Sequence, residues 1–207
     1  MMNLGKKPTN PVLLFDLGNV VNEFIGVKEI QRMWAPELTL GELKTKWLTS
    51  PAVIRLEIGE IDADVFAREF IEEWRVPVSS GEFLKLFVSW VRPPFSGIEN
   101  LLTELGSRFR MACLSNTCAV HWRRIGDEFG MSGYFDHHYL SFQMGLVKPS
   151  RAIYAAVIED LEVNADDIIF FDDTPENIAS ACEVGINGHV VDGVVALREK
   201  CRVLNLL

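Results

Sequence analysis

The feature of this sequence that most constrains its fold is a short apolar run that ends at an acid. Val12–Phe15 is apolar throughout, and Asp16 follows it directly, ahead of a glycine and an asparagine that begin a loop. A continuous apolar run of this length is typical of a strand that is buried on both faces. Residues 109–114, 168–171 and 189–191 have the same strand-like character.

Between these runs, apolar residues recur at helical spacing. The three patterns comprise Ile98, Leu101, Leu102 and Leu105; Ile153, Tyr154, Val157, Ile158 and Leu161; and Ile178, Ala181, Cys182 and Gly185. Steps of three and four residues place each set on one face of a helix. Strands that alternate with helices predict an α/β fold, a doubly wound Rossmann-like parallel sheet with helices on both faces.

The segment from about residue 27 to residue 91 breaks this alternation. It shows no convincing strand and several amphipathic helical patterns, the clearest of which begins at Asp62 as its N-cap. Two consecutive prolines then end any helix. The sequence therefore predicts an α/β core domain over residues 1–23 and 93–207 and an inserted helical cap over residues 24–92. Ligands bind at the carboxyl ends of the strands in such sheets, so the cap should lie over that edge as a lid.

The charge balance excludes several classes of partner. Lys and Arg number 20 against 29 Asp and Glu, which gives a formal net charge of −9 at pH 7. A field of that sign repels nucleic acid backbones and anionic lipid, so neither nucleic acid nor a membrane is expected as a partner. The sequence leaves the oligomeric state open.

The cysteines and the N-terminus indicate the compartment. The chain has four cysteines, which lack the spacing of a metal site: Cys113, Cys118, Cys182 and Cys201. Four are too few to stabilise a chain of 207 residues by disulfides, so we expect buried thiols in a reducing compartment. Residues 1–11 are polar, and no apolar run approaches the length of a membrane span. The expected location is therefore cytoplasmic.

Four short segments place polar groups directly after a predicted strand or at the start of a helix. They are Asp16 to Asn19, Ser115 with Asn116, Lys148 before Pro149, and Asp172 with Asp173. The carboxyl ends of parallel strands meet at one edge, so these groups should share one crevice. Carboxylates held close together repel each other unless a cation joins them. Mg²⁺, which prefers oxygen ligands, is the metal expected there.

The order, spacing and local sequence of these segments resemble the haloacid dehalogenase superfamily across nearly the whole chain. The motifs read FDLGNV from residue 15, LSNT from residue 114, YLSFQMGLVKP from residue 139 and FFDDTPEN from residue 170. Their wording looks most like the subgroup that contains bacterial α-D-glucose-1-phosphate phosphatase, including the helical cap inserted after the first strand. The resemblance implies a Mg²⁺-dependent phosphatase for a small phosphorylated metabolite, such as a sugar phosphate.

The resemblance also implies a role for each catalytic position. Asp16 matches the nucleophile that attacks phosphorus and forms an aspartyl-phosphate, which water then hydrolyses. Ser115, with Asn116 beside it, matches the motif whose hydroxyl and backbone N–H hold the phosphoryl oxygens. Lys148 matches the lysine that neutralises the nucleophile and the phosphoryl charge. Catalysis is therefore expected from Asp16, Ser115 and Lys148, and substrate binding from Ser115, Asn116 and Lys148.

The metal ligands follow from the same resemblance. Asp173 matches the main metal-binding acid, while Asp172 and Asn177 are nearby candidates to ligate, hydrate or orient. With Asp16 and the backbone carbonyl of Gly18, these acids form the expected Mg²⁺ site.

Gly18 is the one departure from the family pattern. Phosphatases of the family usually have a second Asp at this position, which protonates the leaving group and later activates water. General acid help is worth about 10²–10⁴-fold, so its loss favours substrates that leave easily, such as sugar 1-phosphates and aryl phosphates. Glu23, Asp172 or a cap residue such as Glu57 are alternatives to replace the missing acid.

Two other functions remain open at this point. In a dehalogenase, Asp16 would attack carbon rather than phosphorus, and dehalogenases of this family work without a metal. Alternatively, the loss of the Asp at position 18 would leave a catalytically weak module that binds a phosphorylated metabolite.

Overall fold

The computed structural model describes residues 10–207 and forms an α/β sheet with helices inserted after its first strand. The strands of this range are β1 (Val12–Phe15), β2 (Asn22–Phe24), β3 (Val91–Pro94), β4 (Arg110–Ser115), β5 (His137–Leu140), β6 (Ile168–Asp172) and β7 (Asn187–Val190). Its α-helices are α1 (Gly26–Met33), α2 (Leu40–Leu48), α3 (Pro51–Glu57), α4 (Ala63–Trp74), α5 (Ser80–Ser89), α6 (Ile98–Gly106), α7 (Ala119–Arg123), α8 (Ser141–Met144), α9 (Arg151–Leu161), α10 (Pro175–Glu183) and α11 (Gly193–Val203).

The central sheet is parallel, with the strand order β5-β4-β1-β6-β7. The first strand of the chain therefore lies in the middle. Phe15 pairs with Cys113 of β4 on one side and with Phe171 of β6 on the other. The predicted doubly wound α/β class is confirmed.

Alternate residues of β1 face opposite sides of this sheet. Leu13 and Phe15 pack in a core shared with α6 and α11, whereas Val12 and Leu14 pack in a second core shared with α9 and α10. Burial on both faces explains why β1 is apolar at every position. The amide of Asp16 continues the pairing and donates to the carbonyl of Phe171 at 2.8 Å. The central strand thus fixes the backbone of the acid that follows it.

The edge strand β5 was not among the four predicted strands. Its sequence begins with two histidines, His137 and His138, and lacks a continuous apolar run. A strand at the edge of a sheet has only one neighbour and is not enclosed like β1, so alternation and apolar content are weaker signals there. The other edge strand, β7, covers Asn187–Val190 rather than the predicted 189–191.

Helices α1 to α5 pack around an aromatic cluster of their own. Its fully buried members are Phe66, Phe70, Phe83, Phe87 and Trp90. The predicted helix start at Asp62 is confirmed, since its side chain accepts the amide of Val65. The helical cap is therefore present. The division into domains over residues 1–23 with 93–207 and residues 24–92 stays a prediction, and residues 1–9 lie outside the described part of the chain.

Strands β2 and β3 form an antiparallel pair where the chain leaves and re-enters the α/β part. We expected Pro93 and Pro94 to end any helix, and the structure places both of them in strand β3. Each strand of a two-stranded pair has an unpaired edge, where a proline without a backbone N–H is tolerated. The cap is therefore joined to the core through a short two-stranded stem.

The expectation of buried thiols holds for three of the four cysteines. Cys113, Cys118 and Cys201 are buried, but Cys182 is exposed. The prediction was wrong there because the buried face of α10 is formed by Asn177, Ile178 and Ala181. No helix in residues 10–207 is long and apolar enough to cross a membrane.

Candidate active site

The carboxyl ends of the central strands bring four of the predicted site residues to one edge of the sheet. Asp16 follows β1, Ser115 ends β4, Asp172 ends β6, and Lys148 lies in the loop after α8. Their exposure is only 7% for Asp16, 4% for Ser115, 4% for Lys148 and 0% for Asp172. Three charged groups are therefore held away from bulk water in one place.

The ammonium group of Lys148 links two of the acids. Its Nζ lies 2.8 Å from Asp16 Oδ1 and 2.6 Å from Asp172 Oδ2, and it also donates to the carbonyl of Leu114 at 3.0 Å. Burial disfavours a cation, but the two carboxylates outweigh burial and raise the pKa of Lys148 above its usual range. Lys148 therefore stays positively charged beside Asp16, the predicted nucleophile.

Asp172 is held by the protein on all sides. Besides Lys148, its carboxylate accepts Asn177 Nδ2 at 3.0 Å on each oxygen and the amide of Thr174 at 2.7 Å. The hydrogen bonds orient Asp172 towards Lys148. Among the predicted metal ligands, Asp172 is thus the one whose oxygens are most occupied by protein donors.

Asp173 is oriented by Asn19, a residue for which no role is predicted from the sequence. Asn19 Nδ2 donates to Asp173 Oδ2 at 3.0 Å, and the amide of Phe24 donates to Asn19 Oδ1 at 3.1 Å. Asn19 has a φ of 57°, in the left-handed region that Asn adopts more readily than most residues. The available signal was an Asn directly after a Gly in the loop that follows β1.

The three acids fit a divalent cation. One oxygen from each of Asp16, Asp172 and Asp173 lies within 4.8 Å of the others. Burial raises the pKa of Asp16 to about 7; Lys148 lowers it, while Asp172 and Asp173 raise it further. Three carboxylates against one ammonium leave excess negative charge, which an oxygen-preferring dication neutralises. The predicted Mg²⁺ site is therefore supported by its donor set, and the Gly18 carbonyl as a further ligand stays a prediction.

Ser115 and Asn116 occupy different roles in the structure. Ser115 lines the cavity at the sheet edge, and its contact with substrate stays a prediction. The side chain of Asn116 donates to the Lys148 carbonyl at 3.0 Å and accepts the Lys148 amide at 2.8 Å. Asn116 therefore holds the lysine loop in place with its side chain, and its own contact with substrate also stays a prediction.

A cavity of about 710 Å³ opens above the sheet edge. The core side contributes Asp16, Gly18, Ser115, Lys148 and Asp173. The cap side is mostly apolar and includes Val27, Leu40, Trp47, Leu48, Val53, Ile54, Leu56 and Phe87, together with Lys28, Lys44 and Glu57. Core and cap therefore enclose one site, with the charged groups at the strand ends and the apolar surface opposite.

Position 18 has room for a Cβ. A Cβ at Gly18 would lie 3.8 Å from Phe24 Cβ and 3.9 Å from Asp16 Oδ2, which are ordinary van der Waals distances. Packing around the Cβ position therefore does not require a glycine at position 18. The site differs from the family pattern in the chemistry of this residue, because the acid is missing.

Comparison with known proteins places the chain among hydrolases. A family model described as haloacid dehalogenase-like hydrolase matches residues 14–185. The chain is 28% identical over 190 residues to flavin mononucleotide hydrolase 1 of Arabidopsis thaliana, a match that covers 89% of this chain and 74% of that protein. It is 25% identical over 183 residues to the D-ribitol-5-phosphate phosphatase of Bacteroides thetaiotaomicron, with 84% of this chain and 87% of that protein covered.

The fold is also that of a solved enzyme. A haloacid dehalogenase family enzyme from Bacteroides thetaiotaomicron, in complex with magnesium and inorganic phosphate, superimposes with a TM-score of 0.72. The sequences are 24% identical, and the match covers 88% of this chain and 94% of that one. The core sheet and the position of the cap are therefore those of an established architecture.

Proposed function

The chain belongs to the haloacid dehalogenase-like hydrolase family, and on that premise we propose that it is a Mg²⁺-dependent phosphomonoesterase that works through an aspartyl-phosphate at Asp16. One observation carries the proposal: the carboxylate of Asp16 faces a cavity, 2.8 Å from the ammonium of Lys148 and beside two further acids. The names of the two relatives, a flavin mononucleotide hydrolase and a ribitol-5-phosphate phosphatase, support a phosphate ester as the substrate.

The residues at the sheet edge divide the reaction between them. Asp16 attacks phosphorus, so that an Asp16 Oδ–P bond forms as the ester P–O bond breaks, and water then releases phosphate. Lys148 lowers the pKa of Asp16 and faces the charge on the transferring group. Ser115 and the backbone of Asn116 hold the phosphoryl oxygens. Phosphoryl transfer needs mainly such positioning and charge neutralisation.

Asp16, Asp173 and Asp172 would hold the metal. When bound, Mg²⁺ supplies Lewis-acid stabilisation of the phosphoryl oxygens. Magnesium and phosphate in the solved enzyme of the same fold support this choice of ion. Asn19 and Thr174 keep Asp173 oriented with hydrogen bonds of 3.0 and 3.1 Å.

We propose a small phosphorylated metabolite as the substrate, and within that class a sugar phosphate. A sugar 1-phosphate, as in the glucose-1-phosphate phosphatase subgroup, is what Gly18 favours if no other acid replaces the missing Asp. The reason is that a hemiacetal oxygen leaves more easily than a simple alkoxide. The volume of about 710 Å³ is enough for a metabolite of this size and also for larger, partly apolar phosphate esters.

We expect phosphate release that depends on Mg²⁺. The assay uses glucose 1-phosphate, glucose 6-phosphate, ribitol 5-phosphate, flavin mononucleotide and p-nitrophenyl phosphate, each with Mg²⁺ and with excess EDTA. At least one ester should be hydrolysed, and EDTA should reduce its rate to the background, because the site needs a cation to offset its acids.

Other outcomes of the same assay identify the rival functions. Release of halide from 2-haloacids without any metal would indicate a dehalogenase. Binding of phosphorylated metabolites without turnover on the whole panel would indicate a binding module.

A further inference from the structure

We propose that Glu57, at the end of cap helix α3, is the acid and base that replaces the Asp missing at position 18. The proposal rests on the phosphomonoesterase function above and adds the proton transfers that the core residues lack. Asp16, Ser115 and Lys148 account for attack and charge neutralisation, but none of them delivers a proton to the leaving oxygen. A group that faces the same cavity from the other side is needed.

The other two acids considered for this role are committed elsewhere. Glu23 forms an ion pair with Lys28 at 3.0 Å, with 40% of its side chain exposed. Glu23 does not line the cavity. Asp172 is fully buried and holds Lys148 at 2.6 Å. Neither is free to give a proton to a substrate.

Glu57 faces the reacting groups across the cavity. It is the last residue of α3 and lines the cavity together with Asp16, Gly18 and Lys148. The indole of Trp47, on the neighbouring helix α2, lies beside the Glu57 carboxylate and lowers its pKa. Glu57 therefore forms part of the cap wall of the site.

The surroundings of Glu57 suit a group that both gives and takes a proton. Burial raises the pKa of Glu57 to about 7, while Lys148 and the Trp47 indole lower it to a smaller extent. Its place at the C-terminal end of α3 also disfavours the carboxylate, because the helix dipole is negative there. A pKa near the working pH is the condition for efficient general acid and base catalysis.

The other titratable groups near Glu57 on α7 and its N-cap are neutral near pH 7. Burial raises the pKa of Cys118 to about 12 and lowers the pKa of His121 to about 4. The ring of His121 is hydrogen-bonded to the carbonyl of Phe87 at 2.8 Å. Lys148 on the core side, together with Lys28 and Lys44 on the cap side, are the cations that line this cavity. Glu57 is thus the group in this wall that changes charge near neutral pH.

A glycine docks the segment that carries Glu57 onto the core. Gly59 has a φ of 74°, and a Cβ at this position would overlap the carbonyl oxygen of Phe142 in α8. Only glycine allows this backbone-to-backbone approach in the left-handed region. The loop after α3 therefore rests directly on α8, and this contact lies two residues from Glu57.

The proton that Glu57 gives in the first step of the reaction is recovered in the second step. As the Asp16 Oδ–P bond forms, the ester P–O bond breaks, and the Glu57 carboxyl proton moves to the leaving oxygen to give the free alcohol. Water then attacks phosphorus and gives a proton to the Glu57 carboxylate, while the Asp16 Oδ–P bond breaks and phosphate leaves. Glu57 returns to its protonated form, and no other reactant is required.

The test compares Glu57→Gln with the wild-type protein on esters with different leaving groups. The probes are p-nitrophenyl phosphate and the best primary-alkyl phosphate of the panel. For Glu57→Gln, kcat/KM should fall by about 10²-fold or more for the alkyl ester. For the aryl ester it should fall by about 10-fold at most, because nitrophenolate leaves without a proton. Loss of the base should also let aspartyl-phosphate accumulate during turnover of the aryl ester.

Glu60→Gln is the matched control, since Glu60 lies three residues further on in the loop after α3, is 53% exposed and pairs with Arg55 at 2.7 Å. It should leave both rates unchanged. An equal fall for both esters in Glu57→Gln, or no fall for either, would overturn the role of Glu57. So would a wild-type enzyme that hydrolyses the aryl ester and no primary-alkyl ester. Mg²⁺-dependent hydrolysis of the aryl ester by wild-type protein upholds the phosphomonoesterase function in each of these cases.

Discussion

Asp16→Asn should reduce Mg²⁺-dependent phosphate release by about 10⁴-fold or more, because the variant removes the nucleophile and leaves the rest of the site in place. The amide matches the carboxylate in size and can still accept the hydrogen bond from Lys148, which is 2.8 Å long in the structure. The measurement is the steady-state rate on the best ester of the panel. Asp166→Asn, which removes an exposed acid just before β6, is the control for the change in charge and should keep full activity.

The stability of Asp16→Asn separates lost chemistry from lost folding. Burial raises the pKa of Asp16 from 3.8 in the unfolded reference to about 7 in the fold. The folded protein therefore binds the extra proton between these values, and metal-free stability falls as the pH rises through that window. The Asn variant lacks this effect and should be at least as stable as wild type above pH 7 without Mg²⁺. A less stable, inactive variant would contradict this account of the site.

Lys148→Met should lower the free energy of unfolding by about 3–5 kcal/mol, because it leaves two buried carboxylates without their cation. The Lys148 side chain is 2% exposed, and those of Asp16 and Asp172 are 10% and 0% exposed. Urea unfolding at pH 7 without divalent ions measures the change. The loss should shrink at acidic pH, where the Asp16 carboxyl is protonated. Phosphatase activity should be lost in the variant.

A second substitution tests whether charge is the cause. Lys148→Met combined with Asp172→Asn removes one of the two unpaired acids, so the double variant should recover part of the lost stability. Residues in direct contact are expected to couple in this way. A loss below about 1 kcal/mol in the single variant, or no recovery in the double variant, would mean that the ion pairs contribute little to the fold.

The parts of the site that the sequence predicted well are those built on central strands. The continuous apolar run Val12–Phe15 predicts a buried strand correctly, because both faces of β1 are buried. The position of Asp16 follows from the end of that strand. The position of Asp172 at the end of β6 follows for the same reason. These positions depend on local pattern and on the general rule that parallel strands end at one edge.

The parts that the sequence did not predict depend on structure beyond that pattern. The edge strand β5 has no continuous apolar run. The two prolines of β3 argue against a strand at that place in the sequence. The contact of Asn19 with Asp173 joins residues 154 positions apart. From the sequence alone, Glu57 is one of three alternatives to replace the acid missing at position 18. The structure distinguishes it, because Glu57 lines the cavity and the loop after it contacts Phe142 through Gly59. Such features depend on how segments distant in the chain pack together, which no local pattern in the sequence encodes.

The most direct test of the central claim is to trap the phosphorylated enzyme. Wild-type protein is mixed with its best ester and Mg²⁺, quenched in acid within the first turnovers, digested and analysed by mass spectrometry. The account predicts a phosphoryl group on the Asp16 carboxylate of the wild type that is absent with EDTA and absent in Asp16→Asn. Phosphate release by a wild-type enzyme that never carries phosphate on Asp16, together with an active Asp16→Asn variant, would contradict it.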